Sequence, residues 1–269
     1  MKNKILYNVS KTVLALAFFH SQFDTAQADI FALEDFNATE YTRHYNSLPA
    51  VEDSNKELQV STFFAPFLKE AESVVVQYEL EPYIGLRLIH RHFPVEGNQL
   101  MAEEYQTYKE QPSLVTSAYE VDGALLKGMI PASWILAHGD GDEVTVFEAS
   151  NDAAVHTGSK MIQKNPEFLD EMGKLLEDNN LNNILAVALL KRDALVASEN
   201  QIYLEINDSE HDKSIVQLWD VSKQNKDAIV TSWSFKGPRE QRCIRESVCV
   251  PDDSRRSGHV IRQSHRNVK

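Results

Sequence analysis

Ile84-Gly85-Leu86-Arg87-Leu88-Ile89-His90-Arg91-His92-Phe93 is the stretch on which the reading of this chain turns. It is apolar at Ile84, Leu86 and Leu88, rich in branched residues and bounded by Pro82 and Pro94, which is the signature of a β-strand. Side chains of alternate residues on a strand share a face, so Leu86, Leu88, His90 and His92 form one stripe, with Arg87 and Arg91 on the other face. The two imidazoles of His90-x-His92 then point the same way, roughly 7 Å apart at the backbone.

Working outward, Leu114 to Val121, Trp134 to Ala137 and Val144 to Phe147 read as further short strands. Gly139-Asp140-Gly141-Asp142 supplies the hairpin turn between the last two, because Gly and Asp accept the positive φ angles of a tight turn. Asp140, Asp142 and Glu143 carry calcium-type oxygen atoms, yet they lack the spacing of a loop that wraps an ion. A helical interval follows. Asn165 and Pro166 read as an N-cap and first turn, and Phe168, Leu169, Met172, Leu175 and Leu176 recur at helical spacing. Strands return at Ile184 to Leu190, Gln201 to Ile206, Ile215 to Trp219 and Ile229 to Phe235. The expected fold is α+β, mainly antiparallel sheet, with one or more helices between two β-rich halves. A short internal echo supports the halves: Leu88-Ile89-His90-Arg91 through Asn98-Gln99 resembles Leu189-Leu190-Lys191-Arg192 through Asn200-Gln201.

The ends of the chain set its compartment and its domains. Lys2, Lys4 and Lys11, the apolar run Val13 to Phe19, and Ala26-Gln27-Ala28 stand in the order of a secretory signal peptide, residues 1–28. The protein is therefore expected to be secreted or periplasmic, with no integral membrane segment after the signal. Residues 29–235 are expected to form the principal domain, and residues 236–269 a basic C-terminal tail.

Charge divides the chain at the same place. The tail holds nine Lys and Arg against four Asp and Glu, while the whole chain has 27 against 40. The body is strongly acidic, which excludes nucleic-acid binding through the main domain and leaves a protein or a small molecule as its partner. Cys243 and Cys249 are the chain's two cysteines, and in an exported protein they are expected to form a disulfide bond. The alternative is a zinc site of both thiolates with His259 and His265.

Two readings of function follow. The first is a secreted binding or effector protein that works by surface recognition, since no G-x-S-x-G elbow, H-E-x-x-H helix or phosphate loop is present. The second is a metal-dependent enzyme or metal-binding protein in which His90, His92 and Glu96 hold a divalent ion such as zinc. His90-x-His92-x3-Glu96 resembles the first metal motif of the cupin barrels, over about a dozen residues. The glycines on both sides depart from that family's pattern, and His138 lacks the Pro-x-Gly-x-x-His context of a second motif, so the chain is not assigned to it.

Overall fold

In the computed structural model the described residues are 33, 36–121, 128–137, 143–198, 201–208, 210–220, 222, 229–235, 244–251, 259–262 and 266–267. Five helices occur among them: α1 (Ala38–Ser47), α2 (Val51–Val60), α3 (Phe64–Gln77), α4 (Ala153–Gln163) and α5 (Glu167–Asp178). The strands are β1 (Ile84–Leu88), β2 (Gln99–Tyr108), β3 (Gln111–Glu120), β4 (Ile130–Ala137), β5 (Glu143–Ser150) and β6 (Leu185–Leu189). They continue as β7 (Gln201–Asp208), β8 (Lys213–Asp220), β9 (Ile229–Ser234), β10 (Ile244–Pro251), β11 (His259–Arg262) and β12 (Arg266–Asn267). The fold is α+β and dominated by one mixed, mostly antiparallel sheet.

That sheet curls back on itself. β1 pairs antiparallel with β6 on one side and β9 on the other. From β6 the ladder runs through β4 and β5 to β2 and β3. From β9 it runs through β10 and β7 to β8, and β8 meets β3 with Thr116 opposite Ser214. The ten strands thus form a ring in which β2–β5 and β7–β10 are the parallel contacts. A closed ring leaves fewer unpaired backbone edges and gives the sheet an inside as well as an outside.

Helices α2 to α5 cover one part of the outside. Phe67, Val74 and Val75 of α3 and Phe168, Met172 and Leu176 of α5 bury against Leu86, Leu88, Trp134 and Val187 of the sheet. Their i, i+3, i+4 spacing makes each helix apolar on the side that meets the sheet. At Gly158 of α4 a Cβ would lie 2.5 Å from Leu189 Cδ2, so the helix approaches β6 more closely than a larger residue permits. Asp152 caps α4 by accepting the Ala154 N–H at 2.7 Å. Asn165, expected to cap α5, instead donates from Nδ2 to the Met161 carbonyl at the end of α4, and α5 starts after Pro166 without a side-chain cap.

Two differences from the sequence pattern shape the site. The strand expected to run to Phe93 ends at Leu88, and Gln99–Tyr108, polar along much of its length, is a strand. Within the segment set apart as a basic tail, residues 244–251 form β10 and pair with β9 and β7.

Candidate functional site

The two histidines sit in the loop between β1 and β2, and the N-terminal helices hold that loop. Ser54 of α2 donates to the Ile89 carbonyl at 2.5 Å, and the Arg91 N–H donates to the Pro49 carbonyl at 2.9 Å. The Asn46 side chain pairs with Val95 both ways, donating to its carbonyl at 2.8 Å and accepting its N–H at 2.9 Å. Tyr45 of α1, fully buried, accepts the His92 N–H at 3.3 Å. One turn earlier in the helix, Tyr41 donates to the Phe147 carbonyl of β5 and accepts the Met101 N–H of β2. Helix α1 therefore fixes the loop to the two strands beside it.

Both imidazoles are buried, and their ring centres lie 4.7 Å apart, nearly edge to face. His90 Nδ1 is 2.8 Å from the Leu88 carbonyl, which can only accept, so Nδ1 carries the proton and Nε2 is the lone-pair nitrogen of the neutral ring. His92 lies between two carboxylates: Nε2 is 3.2 Å from Glu148 Oε1 and Nδ1 is 3.1 Å from Glu205 Oε1. Ligand atoms of His90, His92 and Glu205 all fall within 4.8 Å of one another. Two ligands of one tetrahedral zinc ion, each ~2.0–2.1 Å from it, are about 3.4 Å apart, so small turns of these side chains would bring all three to a common ion.

The carboxylates arrive from strands far away in sequence. Glu148 is on β5 and Glu205 on β7, while Glu103 on β2 pairs with Arg192. Glu148 also pairs with Arg87 of β1. Glu205 accepts a hydrogen bond from the Ser214 hydroxyl of β8. Burial pushes the Glu205 carboxyl up to about 7, against the lowering pull of the Ser214 hydrogen bond and the Arg87 charge. Arg87–Glu148 and Arg192–Glu103 balance one another's charges, and Glu205 is the odd carboxylate of the group.

These groups line a cavity of about 40 Å³ inside the ring of strands. A water molecule occupies ~10–15 Å³ on this measure, so the space suits an ion with two or three small ligands. Arg87 shares the cavity with His90 and His92, whereas Leu86 and Leu88 turn outward to the helices. The sequence parity expected the reverse. Strand alternation stops at Leu88, and the chain beyond it bends to bring the histidines to the arginine's side.

Glu96, expected as the third ligand, is exposed on the surface and lies outside the group of ligand atoms; its N–H donates to Gln99 Oε1 at 2.9 Å. The carboxylate that does lie with the two histidines is Glu205, and Glu148 stands behind His92. His156 is turned to the Gly128 carbonyl, 2.9 Å from Nε2. His138, Cys243, His265 and residues 1–28 lie outside the described residues, and of Cys249 and His259 only the backbone is described. Among the described residues no helix is long and apolar enough to cross a membrane. No family model, curated protein or solved structure matches the chain.

Proposed function

We propose that this is a metal-binding protein that holds one divalent transition ion, zinc being the reference case, through His90 Nε2, His92 Nδ1 and a Glu205 oxygen. The observation that carries the reading is the way each imidazole is oriented from behind: the Leu88 carbonyl holds the Nδ1 proton of His90, and Glu148 faces Nε2 of His92. Metal-bound histidines characteristically donate their second N–H to a carbonyl or a carboxylate, which fixes the ring and raises its basicity. The ion would also balance the charge of Glu205. A nitrogen and oxygen ligand set has no thiol to oxidise, which suits the export that the sequence of residues 1–28 leads one to expect.

We propose further that the site is built across two repeated halves, α2 to β5 and α4 to β10. The strands β1 to β5 start 99 to 102 residues before β6 to β10, in the same order. The β1–β6 ladder is centred on Leu86 opposite Val187, so each strand meets the other's counterpart, as a two-fold relation requires. Glu103 and Glu205 correspond when Gln99 is matched with Gln201, and each is met by a side chain from the other half, Arg192 and His92 respectively.

Elemental analysis of the exported protein tests the metal reading. One equivalent of zinc, or of another divalent transition metal, is expected in the wild type, and less than a tenth of an equivalent in the folded His90→Ala, His92→Ala double variant. Metal-free protein that takes up none of these ions at micromolar concentration overturns it. The cluster would then be a structural one, His92 held between two carboxylates, and surface recognition the remaining reading.

A further inference from the structure

Resting on that metal reading, we infer that the cavity binds a small carboxylate-type monoanion at the position of the ion that the protein leaves open. Three protein ligands fill three corners of a tetrahedral site and leave a fourth to an outside group. The charge of the cavity calls for that group to be an anion. Arg87 and Arg192 carry two positive charges, and Glu103, Glu148 and Glu205 three negative ones, so a divalent ion between neutral imidazoles takes the total from −1 to +1. Buried charge of one sign is costly without a counterion, and a monoanion on the metal restores neutrality.

Two buried donors belong to residues that line the same cavity. Arg192 donates from Nη1 to the Leu189 and Lys191 carbonyls and from Nη2 to Glu103, yet its Nε–H has no hydrogen-bond partner. The Thr231 hydroxyl of β9 also has none, although the residue is only 2% exposed. Buried donors are almost always satisfied, so two orphans on one small cavity mark the place of a missing acceptor. One is a fixed cation and the other a neutral hydroxyl, a pair of donors that suits the two oxygens of a carboxylate. The space admits a group the size of formate or acetate; a larger acid would enter by its carboxylate end alone.

Cobalt(II) replaces zinc with similar geometry and reports its ligands through its visible absorption. The cobalt-loaded full-length protein is titrated with acetate and formate, with the neutral amide acetamide as the control for uncharged ligands. A saturable change in the cobalt bands with the acids and none with acetamide is expected. Thr231→Val should weaken acetate binding about tenfold or more and Thr231→Ser should restore it, since a hydrogen bond to a charged group is involved. Unchanged cobalt uptake and unchanged thermal unfolding in both variants show that the effect belongs to the anion. Cobalt bands that no acid alters, or acetate affinity equal in wild type and Thr231→Val, overturn the inference while leaving the metal site standing. Absence of any cobalt band overturns the metal reading and this one with it.

Discussion

Glu148 faces two cationic or proton-bearing groups at once, the Arg87 guanidinium and His92 Nε2, while its own side chain is almost completely buried. Glutamine at this position keeps an oxygen for the imidazole N–H but gives up the charge, so His92 Nδ1 becomes a weaker base toward an ion. Glu148→Gln is therefore expected to lower zinc affinity about 10–100-fold, as losing an outer carboxylate partner does. Competition with a coloured chelator would measure it, and an unchanged affinity would mean that Glu148 serves only Arg87. A second residue-scale effect lies away from the site. Asp208 accepts hydrogen bonds from Tyr108 at 2.5 Å and His211 at 2.9 Å, the Tyr108 bond being the main reason its carboxyl is held below the usual Asp value. A depressed carboxyl stabilises the fold above its unfolded pKa and loses that contribution as pH falls through its folded one. The carboxylate is half-buried and its His211 partner is exposed to solvent, so the effect is modest. Tyr108→Phe should lower stability slightly near neutral pH, and the gap between its acid-unfolding curve and the wild type's should close as pH falls below the usual Asp range.

At the scale of elements, the strand that leads to the site tolerates little. A Cβ on Gly85 would overlap the Leu190 side chain and the Trp233 carbonyl, and the carbonyl belongs to the β1–β9 ladder and cannot turn away. Gly85→Ala should destabilise by ~1–3 kcal/mol or more, the usual range for overpacking. Differential scanning calorimetry would show it, and a melting temperature equal to the wild type's would mean that β9 can shift. Most strands were legible because their apolar residues alternate or cluster between turn residues, as in Leu185–Leu189. Gln99–Tyr108 was not, and the reason explains the missed carboxylates too. Alternation marks polar residues as facing water, but here the inward face of a closed sheet is the polar one. Glu103 on β2, Glu148 on β5 and Glu205 on β7 accordingly look like solvent positions. The histidine pair could be read because its two members are neighbours in sequence. Its carboxylates stand 56 and 113 positions beyond His92 and could not be assigned without the pairing of the strands. Glu96 had only proximity in its favour, and the turn after Pro94 carries it to the surface.

The molecule as a whole depends on the far end of the chain to complete the ring. The charge pattern sets residues 236–269 apart, yet β10 joins β9 to β7, with Arg245 opposite Trp233 and Ser247 opposite Tyr203. The charge boundary near residue 235 is thus not a boundary in the sheet. A chain ending at Phe235 would leave β9 and β7 each with an unpaired edge beside the cavity wall that carries Thr231 and Glu205. Unpaired edges recruit strands from other molecules, and a sheet opened at this point would also let water reach the buried carboxylates. Such a truncation should lower the melting temperature by ~10 °C or more, corresponding to a few kcal/mol in a domain of this size, and drive association visible by light scattering. Zinc uptake should fall as well, because Glu205 sits on the strand that loses its neighbour. A truncated protein that stays monomeric and keeps the full-length melting temperature and zinc affinity would show that β9 and β7 hold their places without β10, and that the ring is complete in function before the chain reaches its basic end.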